Sequence, residues 1–178
     1  MKKHIDYLNK LRACGDAVEY ADGFKSMQDV WGNCERGDWM LWLLGEQAGK
    51  PGTKSRKKLV LTACKCARLA LKYVPKGEKR PLKAIQAAEK YAKGIGNVSL
   101  QDVRAAVAAA VAVAVADADA AYAAAAAAAA AYAADAAYAA ADAAYAAADA
   151  AAAARADALK QCAAIVRQHF PDVREVLP

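Results

Sequence analysis

The stretch that decides the fold class begins with Ser99-Leu-Gln-Asp102 and continues into an alanine tract, in which 37 of the residues 105–154 are alanine. Ser99 and Asp102 have the spacing of a capping box, which favours the start of a helix. Alanine is the strongest helix former, and helix propagation outweighs nucleation in long alanine-rich segments. Neither glycine nor proline occurs in residues 99–170. This stretch is therefore predicted to form one long helix or a helical hairpin.

The alanine-rich stretch ends in an amphipathic helix. Its apolar stripe consists of Leu159, Cys162, Ile165, Val166, His169 and Phe170. Such a stripe has to be buried against another apolar surface, and one straight helix would carry it far from the first half of the chain. Either the tract folds back as a hairpin or a second copy of the chain covers the stripe. The hairpin is the favoured prediction, with its turn within residues 117–132, although no helix-breaking residue marks that turn.

Residues 1–98 contain all ten glycines and three of the five prolines, and they divide into short helical segments. The predicted segments are a first helix from Ile5 towards Ala21 with Gly15 as its weak point, a helix that begins at the capping box Ser26–Asp29, and an apolar helix 39–44 capped by Asp38 and ended by Gly49. They continue with a basic loop 50–58, a helix 59–74 ended by Pro75, and a helix 82–93 between Pro81 and Gly94. No alternating β pattern of useful length is present. The predicted fold is all-α: a small N-terminal helical bundle (1–98), the alanine-rich helix or hairpin (99–170) and a tail (171–178).

Charge is distributed unevenly between the two halves. Residues 1–100 carry 20 basic and 10 acidic side chains, whereas residues 101–178 carry 5 and 9. A basic bundle with an acidic arm attracts acidic partners to the bundle. Charge alone does not distinguish nucleic acid from an acidic protein.

Several features predict a cytoplasmic protein that does not enter the membrane. The start of the chain lacks the apolar core of a signal peptide. Five aspartates interrupt the alanine tract: Asp117, Asp119, Asp135, Asp142 and Asp149. Each would cost roughly 2.5–3.5 kcal/mol at the centre of a bilayer. The five cysteines are widely spaced and have apolar neighbours, which predicts reduced, buried thiols instead of a disulfide framework.

Catalytic chemistry finds little support in the sequence. The two histidines, His4 and His169, lie at opposite ends of the chain, and Cys162 is two helical turns from His169. Cys64 and Cys66 point to different sides of a helix, which does not suit a metal site. The segment 45–50 lacks the spacing and the hydroxyl residue of a phosphate-binding loop. We therefore expect no catalytic residue, no metal site and no cofactor.

The segment Cys34-Glu-Arg-Gly-Asp-Trp-Met-Leu-Trp-Leu-Leu44 carries the residues of greatest functional interest. Trp39 and Trp42 lie three positions apart on one helical face, and Arg36 and Asp38 precede them. One interpretation is structural: two tryptophans anchor the core while Asp38 caps the helix. The other is a partner-binding surface, because Trp and Arg dominate binding hot spots.

Several motifs in fixed order carry a family resemblance. They are Asp38-Trp-Met-Leu-Trp-Leu43, Cys64-Lys-Cys-Ala-Arg-Leu-Ala-Leu71, Arg80-Pro-Leu-Lys-Ala-Ile85 and the alanine tract with its tyrosines and aspartates. In these motifs the chain resembles the alanine-rich, all-α group, numbered five, of the predicted immunity proteins of bacterial polymorphic toxin systems. The resemblance covers nearly the whole chain. It implies a stoichiometric inhibitor of a toxin made by the same or a neighbouring cell, or a counter-defence protein if a phage carries the gene.

The expected function is therefore binding without catalysis. The leading hypothesis is an immunity-type or counter-defence inhibitor that sequesters a protein toxin or effector, with Arg36, Asp38, Trp39, Trp42 and Arg80 as candidate binding residues. The alternative is a binder of nucleic acid or of an anionic small ligand such as a nucleotide. A bare alanine face opposite the Asp/Tyr stripe of residues 133–151 further predicts a homo-oligomer.

Overall fold

The structure is a computed structural model that describes residues 2–73, 76–106 and 152–175. In chain order its elements are α1 (Lys3–Lys10), α2 (Gly15–Asp22), α3 (Met27–Asn33), α4 (Gly37–Gln47), α5 (Lys54–Arg68), a 3-10 turn (Leu69–Tyr73), α6 (Arg80–Lys93), α7 (helical from 100 to the end of the second range at 106), α8 (Ala152–His169) and a 3-10 turn (Val173–Glu175). Within these three ranges every regular element is helical. The predicted all-α fold class is confirmed.

The predicted helix boundaries hold where capping chemistry marks them. Ser26 begins α3, and its hydroxyl accepts a hydrogen bond from the Asp29 amide at 3.2 Å. Ser99 accepts the Asp102 amide at 3.2 Å in the same way before α7. Gly94 ends α6 in the left-handed region at φ 68°, a conformation that glycine adopts without steric cost. These local signals are strong because each satisfies an otherwise unpaired backbone group.

The predicted starts of two helices are wrong. Asp38 does not cap its helix: α4 begins at Gly37, and the Asp38 carboxylate, in the first turn, pairs with Arg36 instead. The basic stretch 50–58 is not a loop throughout, because α5 begins at Lys54. Thr53 is the cap, and its hydroxyl accepts the Arg56 amide at 3.3 Å. The five residues 54–58 therefore extend the helix that was predicted to start at 59.

The first predicted helix is divided in two. Arg12 has φ 60°, and this left-handed residue follows the end of α1 and precedes α2. At its other end, the helix predicted over 59–74 leaves α-helical geometry at Arg68 and continues as the 3-10 turn, whereas Val74 and Pro75 lie outside the described residues. α2 begins at Gly15, the predicted weak point of the first helix, whereas no glycine or proline lies beside Arg68.

A single apolar core joins the first and the last parts of the chain. α5 packs against α4, α6 and α8, and α8 also packs against α4. Val103 of α7 and Val166 of α8 are fully buried in the same cluster as Leu41 and Val60. The apolar stripe at the end of α8 is thus buried on the chain's own bundle. α8 closes that bundle over the start of α4.

Residues 107–151 of the alanine tract lie outside the described residues. The predicted turn at 117–132 and the alanine face at 133–151 fall within that range, so the homo-oligomer stays a prediction. Of the helices that the structure describes, none has the length and apolar character required to span a bilayer.

Candidate protein-binding surface

The start of α4 carries an ion pair between Arg36 and Asp38, in which the acidic side chain is buried. Asp38 is only 3% exposed, and its carboxylate accepts the Arg36 Nε at 2.9 Å and the Arg36 Nη2 at 2.5 Å. The two parallel bonds are the bidentate geometry that gives an Arg–carboxylate pair both strength and direction. Asp38 also lies in the first turn of α4, where the helix dipole favours a negative charge. The pair therefore fixes the orientation of a partly exposed guanidinium.

That guanidinium stacks on an aromatic row. The Arg36 Cζ lies 4.2 Å from the centroid of the Trp39 ring, a distance at which cation–π attraction operates. Trp39 packs at a tilt against Tyr20, with 5.8 Å between centroids, and Tyr20 packs against Phe24 at 5.1 Å. All three rings are half-buried. The result is a row of three aromatic side chains with a fixed positive group at one end.

A shallow apolar groove runs beside this row. It is lined by Leu8, Ala17, Tyr20, Met27, Val30, Trp31, Cys34, Trp39, Met40, Trp42 and Leu43, and it encloses about 40 Å³. Ligand pockets for drug-sized molecules span roughly 300–1,000 Å³, so this groove has room for part of a side chain and not for a nucleotide. We call Tyr20, Phe24, Arg36, Trp39 and Trp42 together the Trp39 surface.

Helix α8 supports the Trp39 surface from behind. Arg167 of α8 donates from Nη1 to the Cys34 carbonyl at 2.6 Å, at the C-terminal end of α3. The Trp31 indole in turn donates to the Phe170 carbonyl at 2.8 Å. α8 comes this close because residue 37 is glycine: a Cβ there would lie 2.6 Å from the Cys162 Sγ. The position of the α3–α4 connection thus depends on contacts with residues more than 120 positions away.

The structure brings four of the five predicted site residues together. Arg36, Asp38, Trp39 and Trp42 all belong to the start and first turns of α4 and surround one surface. Arg80 is at the start of α6, where its Nε donates to the Glu78 carboxylate at 2.9 Å and lowers the pKa of Glu78 to about 2. Arg80 is not among the residues that line the groove.

Two members of the Trp39 surface were not identified from the sequence. Tyr20 and Phe24 are four positions apart, a spacing that places side chains on one helical face. α2 ends at Asp22, so the pair continues past the helix end. The four-residue spacing of these two aromatic residues is visible in the sequence, but nothing in the sequence indicates that they contact α4.

A second cavity lies between α1 and the start of α3. It encloses about 480 Å³ and is lined by Lys2, Lys3, His4, Tyr7, Lys25, Ser26 and Met27. We call it the lysine pocket. The Lys2 ammonium is 3.1 Å from an Asp22 carboxylate oxygen. The Tyr7 hydroxyl is buried without a hydrogen-bond partner among the described residues, and burial together with the charge of Glu46 raises the pKa of Tyr7.

In the contacts of the described residues, neither histidine is paired with a cysteine thiol. The His4 Nε2 lies 3.2 Å from the Ala21 carbonyl, and the His169 Nε2 lies 2.7 Å from the Lys65 ammonium. The Cys162 Sγ contacts the Cys66 Sγ at 2.7 Å. Across the described ranges, no three His, Cys, Asp or Glu side chains are grouped so that they could hold a metal ion. Cys14 is exposed, so the prediction that the thiols are buried is wrong for this one.

Comparison of the chain with protein-family models, with curated proteins and with solved structures finds no match.

Proposed function

We propose that the chain is a non-catalytic binding protein that sequesters a protein toxin or effector, in the manner of an immunity or counter-defence protein, through the Trp39 surface. The observation that carries the proposal is the orientation of Arg36, which is paired with buried Asp38 and stacked on half-exposed Trp39. The order of motifs that resembles the alanine-rich immunity group supports the same class of function.

Pre-orientation is what makes these side chains suitable for recognition. Association costs about 0.5–1.5 kcal/mol for each flexible side chain that it immobilises. Arg36 and Trp39 are already held by each other and by Asp38, so a partner that binds them pays less of this cost. Trp, Tyr and Arg are also the residue types that dominate binding hot spots.

The size and charge of the surface select the kind of partner. A groove of about 40 Å³ accepts the tip of one apolar side chain of a protein and excludes a small ligand. The guanidinium beside it attracts a carboxylate, which can add a second interaction at the exposed edge of Arg36. An acidic protein surface with one protruding apolar side chain matches both features.

The proposal is tested with toxin-like genes that lie beside this gene. Each is co-expressed with the chain, growth rescue is scored, and the affinity of a rescued pair is measured by calorimetry on purified proteins. We expect Trp39→Ala to weaken binding at least about 30-fold, the equivalent of roughly 2 kcal/mol. The matched control is Tyr91→Ala, a half-buried aromatic on α6 outside the Trp39 surface. Circular dichroism melts verify that both variants are folded.

Two outcomes count against this function. If no neighbouring toxin is neutralised by the wild-type chain, the immunity-type role is wrong. If a toxin is neutralised but Trp39→Ala and Tyr91→Ala bind equally well, the partner uses another surface.

A second candidate function, the binding of an anionic small ligand, is favoured by the lysine pocket. Its volume of about 480 Å³ falls within the usual range for ligand sites, and three of its lining residues are lysines. The test is titration of the full chain with ATP as a nucleoside triphosphate probe at two salt concentrations. Binding should weaken in the variant Lys25→Gln and at high salt, whereas Lys54→Gln, an exposed lysine on α5, should bind as wild type. Unchanged binding in Lys25→Gln would exclude the lysine pocket.

A further inference from the structure

Two cysteines from distant parts of the chain meet between α5 and α8. The Sγ atoms of Cys66 and Cys162 are 2.7 Å apart, and the Cys66 thiol also points at the Cys162 carbonyl, with 3.8 Å between sulfur and oxygen. Neither residue is in a disulfide. The other buried thiols face backbone carbonyls instead: Cys34 faces Arg36, and Cys64 faces Ile85.

The geometry of this pair favours a covalent bond between the two sulfurs. A disulfide needs a separation of about 2.05 Å, so the sulfurs have to approach by less than about 1 Å. Their backbones are held near each other by the packing of α8 against α5 and α4. The close approach at Gly37, against Cys162 and Ala163, keeps this part of α8 in place.

The two thiols differ in access to solvent. Cys66 is half-buried, whereas Cys162 is only 4% exposed. An oxidant from solution therefore reaches Cys66 first. The hydrogen bond with Cys66 and burial both raise the pKa of the Cys162 thiol, so Cys162 stays protonated at neutral pH and acts second.

We propose that Cys66 and Cys162 are an oxidisable pair, a modification site whose co-substrate is a low-molecular-weight disulfide of the glutathione type. The Cys66 thiolate attacks one sulfur of that disulfide, and the other half leaves as a thiolate. Cys162 then gives up its proton, attacks the Cys66 sulfur and displaces the second half. The protein loses two electrons and two protons, and the small disulfide gains them as two thiols.

The bond would join α5 to α8 across the entire alanine tract. α8 carries Arg167, which holds the Cys34 carbonyl behind the Trp39 surface. Oxidation therefore adds a covalent link to the support of that surface, and reduction removes that link. The inference stands on the sulfur geometry and does not depend on the identity of a partner.

The test uses the reduced full-length chain, incubated with oxidised glutathione and then alkylated. We expect neither Cys66 nor Cys162 to be alkylated, and proteolytic mapping to recover one cross-linked peptide that joins Cys66 to Cys162 and is two hydrogens lighter than its two separate peptides together. The variant Cys162→Ala should stop at a glutathione adduct on Cys66. The variant Cys66→Ser should acquire no adduct at Cys162, because that thiol is buried.

Two matched controls retain the pair. Cys64→Ala removes a thiol two positions away on the same helix, and Cys14→Ser removes the exposed thiol. Both should form the same cross-link as the wild type. The proposal is overturned if mapping joins any other pair, or if Cys66 and Cys162 stay fully alkylatable under conditions that oxidise the unfolded chain in urea. Because mapping of the wild type alone decides this, the result does not depend on whether Cys162→Ala folds.

Discussion

Met27 lines two cavities of opposite character. One is the apolar groove of the Trp39 surface, with a volume of about 40 Å³, and the other is the lysine pocket, with a volume of about 480 Å³. The first is shallow, aromatic and held rigid by an ion pair. The second is larger and basic, and its three lysines, Lys2, Lys3 and Lys25, are exposed. A surface of the first kind suits a protein side chain, and a cavity of the second kind suits a small anion.

The two cavities also differ in what holds them in place. Every residue that lines the lysine pocket falls within positions 2–27. The Trp39 surface depends on α8, which supplies the Arg167 guanidinium, and on Phe170 directly after α8, which supplies its carbonyl. A change that displaces α8 should therefore damage the Trp39 surface and leave the lysine pocket intact. This difference provides a way to separate the two candidate functions in one molecule.

The largest effect is expected from Gly37→Ala. The added Cβ would lie 2.6 Å from three atoms of α8, one of them the Ala163 backbone nitrogen, which cannot move aside independently. Overpacking of a tight contact costs about 1–3 kcal/mol, and we expect a value near the upper end. Urea unfolding measures this loss of stability, and calorimetry should show that partner binding is lost while ATP binding at the lysine pocket is retained.

Gly32→Ala is the control for this substitution. Gly32 is an exposed residue of α3, and a Cβ there meets no atom within 4 Å. Replacement of a helical glycine by alanine normally stabilises by about 0.5–1 kcal/mol. If Gly37→Ala is as stable as Gly32→Ala, α8 does not pack as closely as described.

A smaller effect is expected from Arg36→Ala. It leaves the Asp38 carboxylate, which is 3% exposed, without its bidentate partner. Removal of one member of a fully buried pair costs about 3–5 kcal/mol. We expect about 2 kcal/mol here, because the Arg36 side chain is 31% exposed and water can partly replace it. Chemical denaturation measures this loss in the free energy of unfolding.

Arg80→Ala is the matched control for Arg36→Ala. Arg80 also forms a bidentate pair with a carboxylate two positions away, but its side chain is 47% exposed. Exposed pairs contribute little to stability, so the midpoint should stay nearly unchanged. If both variants lose the same free energy of unfolding, the burial of Asp38 is not the reason why the Arg36 pair contributes more to stability.

Local sequence signals predicted much of this fold. The capping hydroxyls at Ser26 and Ser99 and the glycine at 94 each act on their own backbone neighbourhood, so their effects are visible in the sequence. The amphipathic stripe of α8 likewise indicated that this segment must be buried. The start of α5 was missed because Thr53 follows Gly52 in a stretch whose charges were interpreted as a loop.

The candidate site was harder to predict, because it is assembled from elements that are distant in sequence. Trp39 and Arg36 were identified from their residue types and spacing. The sequence contains nothing that indicates the contact of Tyr20 with Trp39, or that of Arg167 with the α3–α4 connection. The burial of Asp38 also depends on tertiary packing, and this is why a pairing role was mistaken for a cap.

The smallest expected effect concerns the C-terminal end of α8 and its response to pH. Burial lowers the pKa of His169, and the positive charges of Lys65 and Lys58 lower it further. A histidine whose pKa is lowered in the folded state binds protons more readily when the chain is unfolded. Stability is then fully present above about pH 6.5, the usual histidine pKa, and it falls as the pH drops through the lower folded-state value. The end of α8 should loosen first, because the ammonium of Lys65 is 2.7 Å from the ring.

Stability measured by urea unfolding between pH 7.5 and pH 5 should therefore decline slightly in the wild type and less in His169→Gln. No residue of α8 lines the lysine pocket, so ATP binding by His169→Gln should follow the wild-type pH profile. A decline of equal size in His169→Gln would mean that other groups cause it and that this end of α8 is not sensitive to protonation.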